Sequence, residues 1–566
     1  MQKRWVIRKH DHERSREFAE QIGVSPLAAA LLIARGHDNE ESARSFLYPS
    51  LSALHEPYLL KGMRESVKRI QKAIKDKEMI LIWGDYDVDG TTGTSLLRKV
   101  FKMIGGTSRF HIPNRFSEGY GVNTQTLQRA RSDGVTLAIT VDCGIRSFEP
   151  LEWAKENGLD VIVTDHHLSD ETRGNPPAFS VVNPNQPGCP YPDKNLAGVG
   201  VAFKLAHALL REANLEHLVP GLLKIAAIGT VADIMKLTGE NRAIVSLGLK
   251  DLTNTSNLGL KALMEIADCR SDMTSYHIGF RVAPRINAAG RMDVAKTVVE
   301  LFEASDFKLA RRLAEELDVR NRERQKIQQD ISERALFEAC ENLQNKFIVV
   351  AGEGWHRGVI GLAASRIADR LYRPTIVLSV DNEIAHGSAR SIGNYHLMHA
   401  LESCAHLFEQ FGGHAAAAGL QIRTENIEAL RSELNAHAAS KLSEDDLIPV
   451  LDIDAHVSAQ TLDLSLISEI ARFEPFGAGN PKPVFVTKGL VVLEEPRVMK
   501  DKHLKLWLLG EGNRRFEAVW WDGVERSMGR TLGQGTRIQL AYTAEANTWN
   551  GNTRLQLVVE DLRADN

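Results

Sequence analysis

Three apolar runs in the first third of the chain each end in acid: MILIWGDYDVDG (79–90), VTLAITVDCG (135–144) and LDVIVTDHH (159–167). Runs of this length, separated by amphipathic stretches such as SFEPLEWAKENG, predict strands alternating with helices in an α/β, parallel, doubly wound sheet. FSVVNP is a shorter fourth strand, and TTGTSLLRKVFKMIG is the helix after the first acidic loop. In such sheets the carboxyl ends of the strands open onto one crevice. Asp85, Asp87, Asp89, Asp142, Asp165, His166 and His167 are therefore expected to meet there. IAAIGTVADIM adds Asp233 from an apolar segment, where a charge needs a partner or a metal.

Crowded carboxylates repel and lose hydration unless cations neutralise them. An oxygen-rich donor set with a little imidazole suits Mn²⁺ or Mg²⁺ better than zinc. There are enough carboxylates for two divalent cations sharing one bridging aspartate, and ions about 3.5–4 Å apart can generate hydroxide and stabilise an in-line phosphoryl transition state. A calcium loop is a poorer reading of D-x-D-x-D-G, because its final acidic position falls on Leu96. Each piece alone has a plainer explanation: a solvated turn, a surface Asp-His cluster, a helix cap at Asp233. Their joint placement at successive strand ends favours the metals.

The 566 residues suggest several domains. Residues 1–75 read as a helical, polar segment and 76–302 as the first α/β domain. Residues 303–345 contain no proline or glycine and predict a long connecting helix or helix pair. A second α/β domain spans 346–442. Across 450–566, short strands broken by Gly, Pro and Asn suggest a small β-barrel, OB-like, carrying Trp507, Trp520, Trp521, Tyr542 and Trp549 among lysines and arginines. Net charge is only −4, so a polyanionic partner requires a local basic surface. Five scattered cysteines without a C-x-x-C pair argue against a disulfide framework or zinc-thiolate site. With no apolar run near the ~20 residues of a bilayer span and no apolar signal core, the expectation is a cytoplasmic protein with no membrane partner.

Anion-binding candidates lie beyond the acidic motifs. GWHRGVIG follows a strand and opens a helix, placing His356 and Arg357 beside free amides. FGGHAAAAG allows close backbone approach beside His414, and AHGSARS puts Ser388 and Arg390 on one side of a strand. PRINAAGRM supplies Arg285, Asn287 and Arg291. Taken singly, each arginine is as well read as a solvated surface charge.

GDYDVDGTT, VDCGI, TDHH and GTVADIM resemble the four motifs of the DHH phosphoesterase superfamily. With PRINAAGRM, GWHRGVIG, GSAR and FGGHAAAAG, residues 75–566 resemble the RecJ family of exonucleases specific for single-stranded DNA. The resemblance implies DHH and DHHA1 domains, and a monomer acting with a single-strand-binding protein and a helicase. It implies Asp87 on one metal, Asp89 on the other, Asp142 bridging, His166 and Asp233 completing the second site, and Asp85 supporting the first. Asp165 and His167 are implied as orienting or proton-handling groups, and Arg115, Ser388 and Arg390 as the pocket for a 5′ end. A first metal surrounded by aspartates departs from superfamily members that place a histidine there. Three readings follow: a 5′-to-3′ exonuclease releasing mononucleotides, with a channel between the α/β units too narrow for duplex; a phosphoesterase for short oligonucleotides or other small phosphoesters; and a non-catalytic scaffold. The additional β domain favours a polymeric substrate, and the complete acidic set disfavours the scaffold.

Overall fold

The computed structural model describes residues 3–115, 117–250, 252–270, 272–292, 295–527, 532–549 and 551–565, the Trp549 side chain excepted. Met79–Gly84 is second in a five-stranded parallel sheet ordered Thr107–His111, Met79–Gly84, Leu137–Val141, Asp160–Thr164, Ser180–Val182. Successive side chains of a strand face opposite sides, and here both sides are core. Ile80 and Ile82 enter one apolar cluster with the helices Val88–Met103 and Gly198–Glu212. Leu81 and Trp83 enter another with Thr124–Ser132 and Phe148–Glu156. The sheet is thus doubly wound, as expected. Its edge strand, TSRFH, has no apolar run and was not legible in the sequence.

Two local expectations are corrected. The helix after the acidic loop starts at Val88 rather than Thr91, because Asp87 caps it, accepting from the Gly90 amide at 2.9 Å. Arg4–Ile7, expected to be helical, is a strand paired in parallel with Val450–Ile453, a partner far along the chain.

Compactness groups 39–322 with 472–482, and 1–38 with 323–471 and 483–566. Residues 472–482 join the first unit through buried Arg242, whose guanidinium donates to the carbonyls of Phe46, Arg472, Phe473 and Glu474. The connecting helix is one element, Phe307–Glu341. In the second unit, a mixed sheet runs Phe408–Gly413, Ala417–Arg423, Ile384–Arg390, Thr375–Asp381, Ile348–Glu353, with only the last pair parallel. Also in that unit, Phe485–Val492, Arg537–Trp549, Asn552–Ala564, Arg514–Trp520 and His503–Gly510 pair in sequence. Val491 and Val492 then pair with Leu509 and Leu508 to close the ring, which gives a barrel of the OB kind. Trp520 and Tyr542 fill its core, Trp507 is half-buried, and Trp521 is exposed. The Trp549 side chain lies outside the described residues. Among those residues, no single helix is long and apolar enough to cross a membrane.

Candidate metal centre and substrate cavity

Backbone pairing carries the three strand ends side by side. The amides of Asp85, Asp142 and Asp165 donate to the carbonyls of Val141, Thr164 and Val182, extending the ladder one residue past each strand. Asp142 leaves its strand in the left-handed region, φ 63°. Asp89 lies in the first turn of Val88–Met103, fully buried, and accepts the Gly198 and Val199 amides at 2.6 and 2.7 Å. Those amides open the helix Gly198–Glu212, whose positive dipole end favours an anion. Two glycines permit the crowding: a Cβ on Gly198 would lie 2.5 Å from Asp142 Cβ, and one on Gly90 2.5 Å from the Asp85 nitrogen.

The side chains form two sets, Asp85–Asp87–Asp142 and Asp89–His166–Asp233, each with donor atoms within 4.8 Å of one another. They meet at His166, whose Nε2 is 3.1 Å from Asp142 Oδ1, 3.6 Å from Asp233 Oδ2 and 3.9 Å from Asp89 Oδ2. An overlapping set joins Asp142, His166 and His167. The donors fit divalent cations. Asp85 Oδ1 and Asp142 Oδ1 are buried and accept no hydrogen bond from any described residue, an arrangement that is costly without a charge to satisfy it. Burial, reinforced by the neighbouring carboxylates, pushes Asp85, Asp89 and Asp142 well above the usual carboxylate range. Burial and then Asp87 push Asp233 up to about 7. Cations binding there displace protons.

Asp165 and the two histidines sit in different surroundings. Asp165 Oδ1 accepts from the His166 amide at 2.7 Å, the His167 amide at 3.1 Å and His167 Nδ1 at 2.8 Å, while Oδ2 accepts from the Ile145 amide at 3.0 Å. Burial pushes its pKa up, but these bonds outweigh it and hold the carboxyl below its usual range. Burial drives His166 down to about 4, and the Leu196 carbonyl hydrogen-bonds its ring. That keeps the imidazole neutral, as a ligand must be. For His167, burial pulls the pKa down, yet the Asp165 hydrogen bond and charge raise it overall. Adjacent imidazoles thus shift in opposite directions, His166 becoming less basic and His167 more so.

A cavity of about 330 Å³ opens on Asp85, Asp87, Asp142, His167 and Asp233. Arg115, Asn287 and Arg291 line it too, as do Tyr86 and Tyr120, which the sequence did not single out. Tyr86 sits between two of the acids, the one signal that could have found it, and Arg115 lies over its ring, 5.1 Å from the centroid. Arg285 is not in the cavity wall. Its Nε donates to Asp318 at 2.9 Å and its Nη1 to the Arg281 carbonyl, so its charge is spent on packing.

The other anion candidates lie in the second unit. His386, Ser388 and Arg390 share the half-exposed face of Ile384–Arg390. Arg390 donates to Ser388 Oγ and to Ser365 Oγ, each at 3.1 Å, and forms no ion pair among the described residues. Gly361 faces the pair closely, since a Cβ there would lie 2.9 Å from Ser388 Oγ. Arg357 is paired with Asp381 at 3.2 Å. His356 and Arg357 occupy the turn before the helix Ile360–Leu371 rather than its first turn. His414 is exposed at the hairpin tip between Phe408–Gly413 and Ala417–Arg423.

Comparison with known proteins agrees with this arrangement. Residues 79–230 match the DHH family, N-terminal domain, 344–440 the DHHA1 domain and 453–561 the RecJ OB domain. The chain is 40% identical to the single-stranded-DNA-specific exonuclease RecJ of Bacillus subtilis, over 99% of this chain and 70% of that protein. Identity to the Haemophilus influenzae RecJ is 34%, over 98% and 99%. The fold resembles Thermus thermophilus RecJ in complex with Mn²⁺, TM-score 0.85 at 30% identity, covering 99% of this chain and 79% of that one. A Mg²⁺ complex of the same protein gives 0.78 at 28% identity, covering 99% and 78%. With full-length identity above 30%, all three domains in order and an acidic cluster at the strand ends, this chain belongs to the RecJ family.

Proposed function

We infer that the protein is a single-stranded-DNA-specific exonuclease, dependent on Mn²⁺ or Mg²⁺, that degrades strands 5′ to 3′ to 5′-mononucleotides in DNA repair and recombination. The observation that carries this is the pair of donor sets meeting at Asp142 and His166 on the wall of a cavity also lined by Arg115 and Arg291. Asp85, Asp87 and Asp142 would hold one cation and Asp89, His166 and Asp233 the other, with Asp142 shared. Cations there supply charge neutralisation and Lewis acidity for phosphodiester hydrolysis. Arg115, Asn287 and Arg291 bind backbone phosphate in the cavity. His167, oriented by Asp165, handles a proton at its ring nitrogen, while the 3′-oxygen of the terminal nucleotide leaves. Ser388 and Arg390 hold the 5′-terminal phosphate, and His356, Arg357 and His414 contribute weaker contacts. We extend the reading to a cytoplasmic monomer that works with a single-strand-binding protein and a helicase. Its five cysteines are free, as a reducing compartment requires.

The test is a long single strand labelled at either end, incubated with Mn²⁺ or Mg²⁺ beside a blunt duplex and a chelator control. Metal-dependent early release of the 5′ label as mononucleotide, with the duplex intact, is the expected result. Consumption of short oligonucleotides with long strands spared overturns it.

A further inference from the structure

Asp233 caps the carboxyl end of the helix Leu223–Ala232. The Ile234 amide donates to the Val231 carbonyl at 3.2 Å and the Met235 amide to the Thr230 carbonyl at 3.3 Å, the two bonds of a Schellman motif. That motif requires the left-handed region at Ile234, whose φ is 57°. Glycine is usual at this position, and a β-branched residue there is a steric outlier. The Ile234 side chain is 76% exposed, so apolar burial does not offset the strain. Such a conformation persists only where the surroundings over-determine it. Three residues on, the chain meets a strap from far along the sequence, Phe473–Asn480, which belongs to the same compact unit. The Leu237 amide donates to the Ala478 carbonyl at 2.7 Å. Gly477 and Gly479 press on the same loop: a Cβ on them would lie 2.8 Å from Leu237 Cδ1 and 3.1 Å from Lys236 Cβ. The strap is itself anchored. Arg242 donates to the Phe473 and Glu474 carbonyls, and Ser275 Oγ to the Phe476 carbonyl. Buried Asn480 donates from Nδ2 to the Phe473 and Pro475 carbonyls at 2.8 and 2.9 Å.

We propose that the strap Phe473–Asn480, pinned by Asn480, holds Ile234 in its strained conformation and thereby aims the Asp233 carboxylate at the second cation. The proposal rests on the two-cation reading above and deepens it by naming positioning residues outside the cavity. Asp89, in the same donor set, is oriented by the Gly198 and Val199 amides. The Asp233 carboxylate accepts no hydrogen bond among the described residues and approaches His166 at 3.6 Å, so its own backbone must orient it. Released from the strap, Ile234 relaxes towards right-handed φ, and the carboxylate one residue earlier turns with it.

The test is Mn²⁺ titration of the full chain without substrate, with magnetic coupling between the two ions followed by electron paramagnetic resonance. The wild-type chain binds two cations and shows the coupled signal. In Asn480→Ala one cation weakens about 10- to 100-fold and the coupled signal fades, while the other cation stays within about threefold. General loosening of the fold would weaken both alike. Adding Ile234→Gly, which enters the left-handed region without strain, restores the lost cation in the double variant. Ser275→Ala, a milder cut to the same strap, gives a smaller loss in the same direction and keeps the result readable if Asn480→Ala folds poorly. Two cations retained in both strap variants overturn the proposal. So does a loss that Ile234→Gly fails to rescue, or one that falls equally on both cations. A wild-type chain that never shows a Mn²⁺ pair refutes the two-cation reading and the strap's role with it, whereas a pair that survives the strap variants refutes the strap's role alone.

Discussion

The acidic cluster of the first unit and the Ser388–Arg390 site of the second carry opposite charges under the same condition. Asp85 and Asp142 keep buried oxygens that no described group satisfies. Arg390, half-buried, is held by two serine hydroxyls and the Ala389 carbonyl and has no carboxylate partner among the described residues. Arg285 and Arg357 make the contrast plain, since Asp318 and Asp381 already neutralise them. A structural charge is paired inside the fold, whereas a binding charge is positioned by neutral or like-charged neighbours and waits for its counter-ion. That criterion separates arginines that look equivalent in the sequence.

The sharpest way to break the comparison is Asp142→Ala, which removes the carboxylate shared by both sets. Hydrolysis of a single strand should fall by at least ~10³-fold while binding in chelator largely survives; full activity would sink the two-cation arrangement. Gly198→Ala drives a methyl into Asp142 and disturbs the amide that Asp89 accepts. Mn²⁺ affinity, read by isothermal titration, should weaken about 10- to 100-fold. Arg390→Ala should cost about 10- to 100-fold in kcat/KM on 5′-phosphorylated strands. Arg357→Ala, its charge already neutralised by Asp381, should stay within about threefold; equal losses would erase the distinction between paired and waiting charges.

The smallest effect is on stability against pH. Asp85, Asp89, Asp142 and Asp233 titrate above their unfolded values in the native state, the last at about 7. These four carboxyls outnumber His166, whose lowered pKa acts in the opposite sense, so the metal-free native state binds more protons than the unfolded chain between about pH 4 and 7. Stability in chelator should fall as pH rises through that window, by ~1–3 kcal/mol, visible as a melting temperature several degrees lower. Saturating Mn²⁺ should reverse the slope, because protons then compete with the cation. The same slope with and without metal would show that the cluster does not bind it.

Much of the site was legible because it lies at the ends of apolar runs. Asp142 and Asp165 follow five-residue strands whose both faces are core, and such runs advertise themselves by composition. The polar edge strand Thr107–His111 and the pairing of Arg4–Ile7 with Val450–Ile453 did not, since nothing local distinguishes them. Arg285 shared a motif with Asn287 and Arg291 yet turns to Asp318, because its position on the helix points it away from the cavity. Ser365, which holds Arg390, lies outside every motif.

By itself, then, the order of residues determined the chemistry: which acids and imidazoles exist, and that strand ends would gather them. Only the tertiary structure decided their division of labour. Two helix-start amides satisfy Asp89, four hydrogen bonds saturate Asp165, and Asp85 and Asp142 are left with bare oxygens. The physical reason is that solvation and pairing of a charge depend on what the fold places within a few ångströms of it, and those neighbours come from distant parts of the chain.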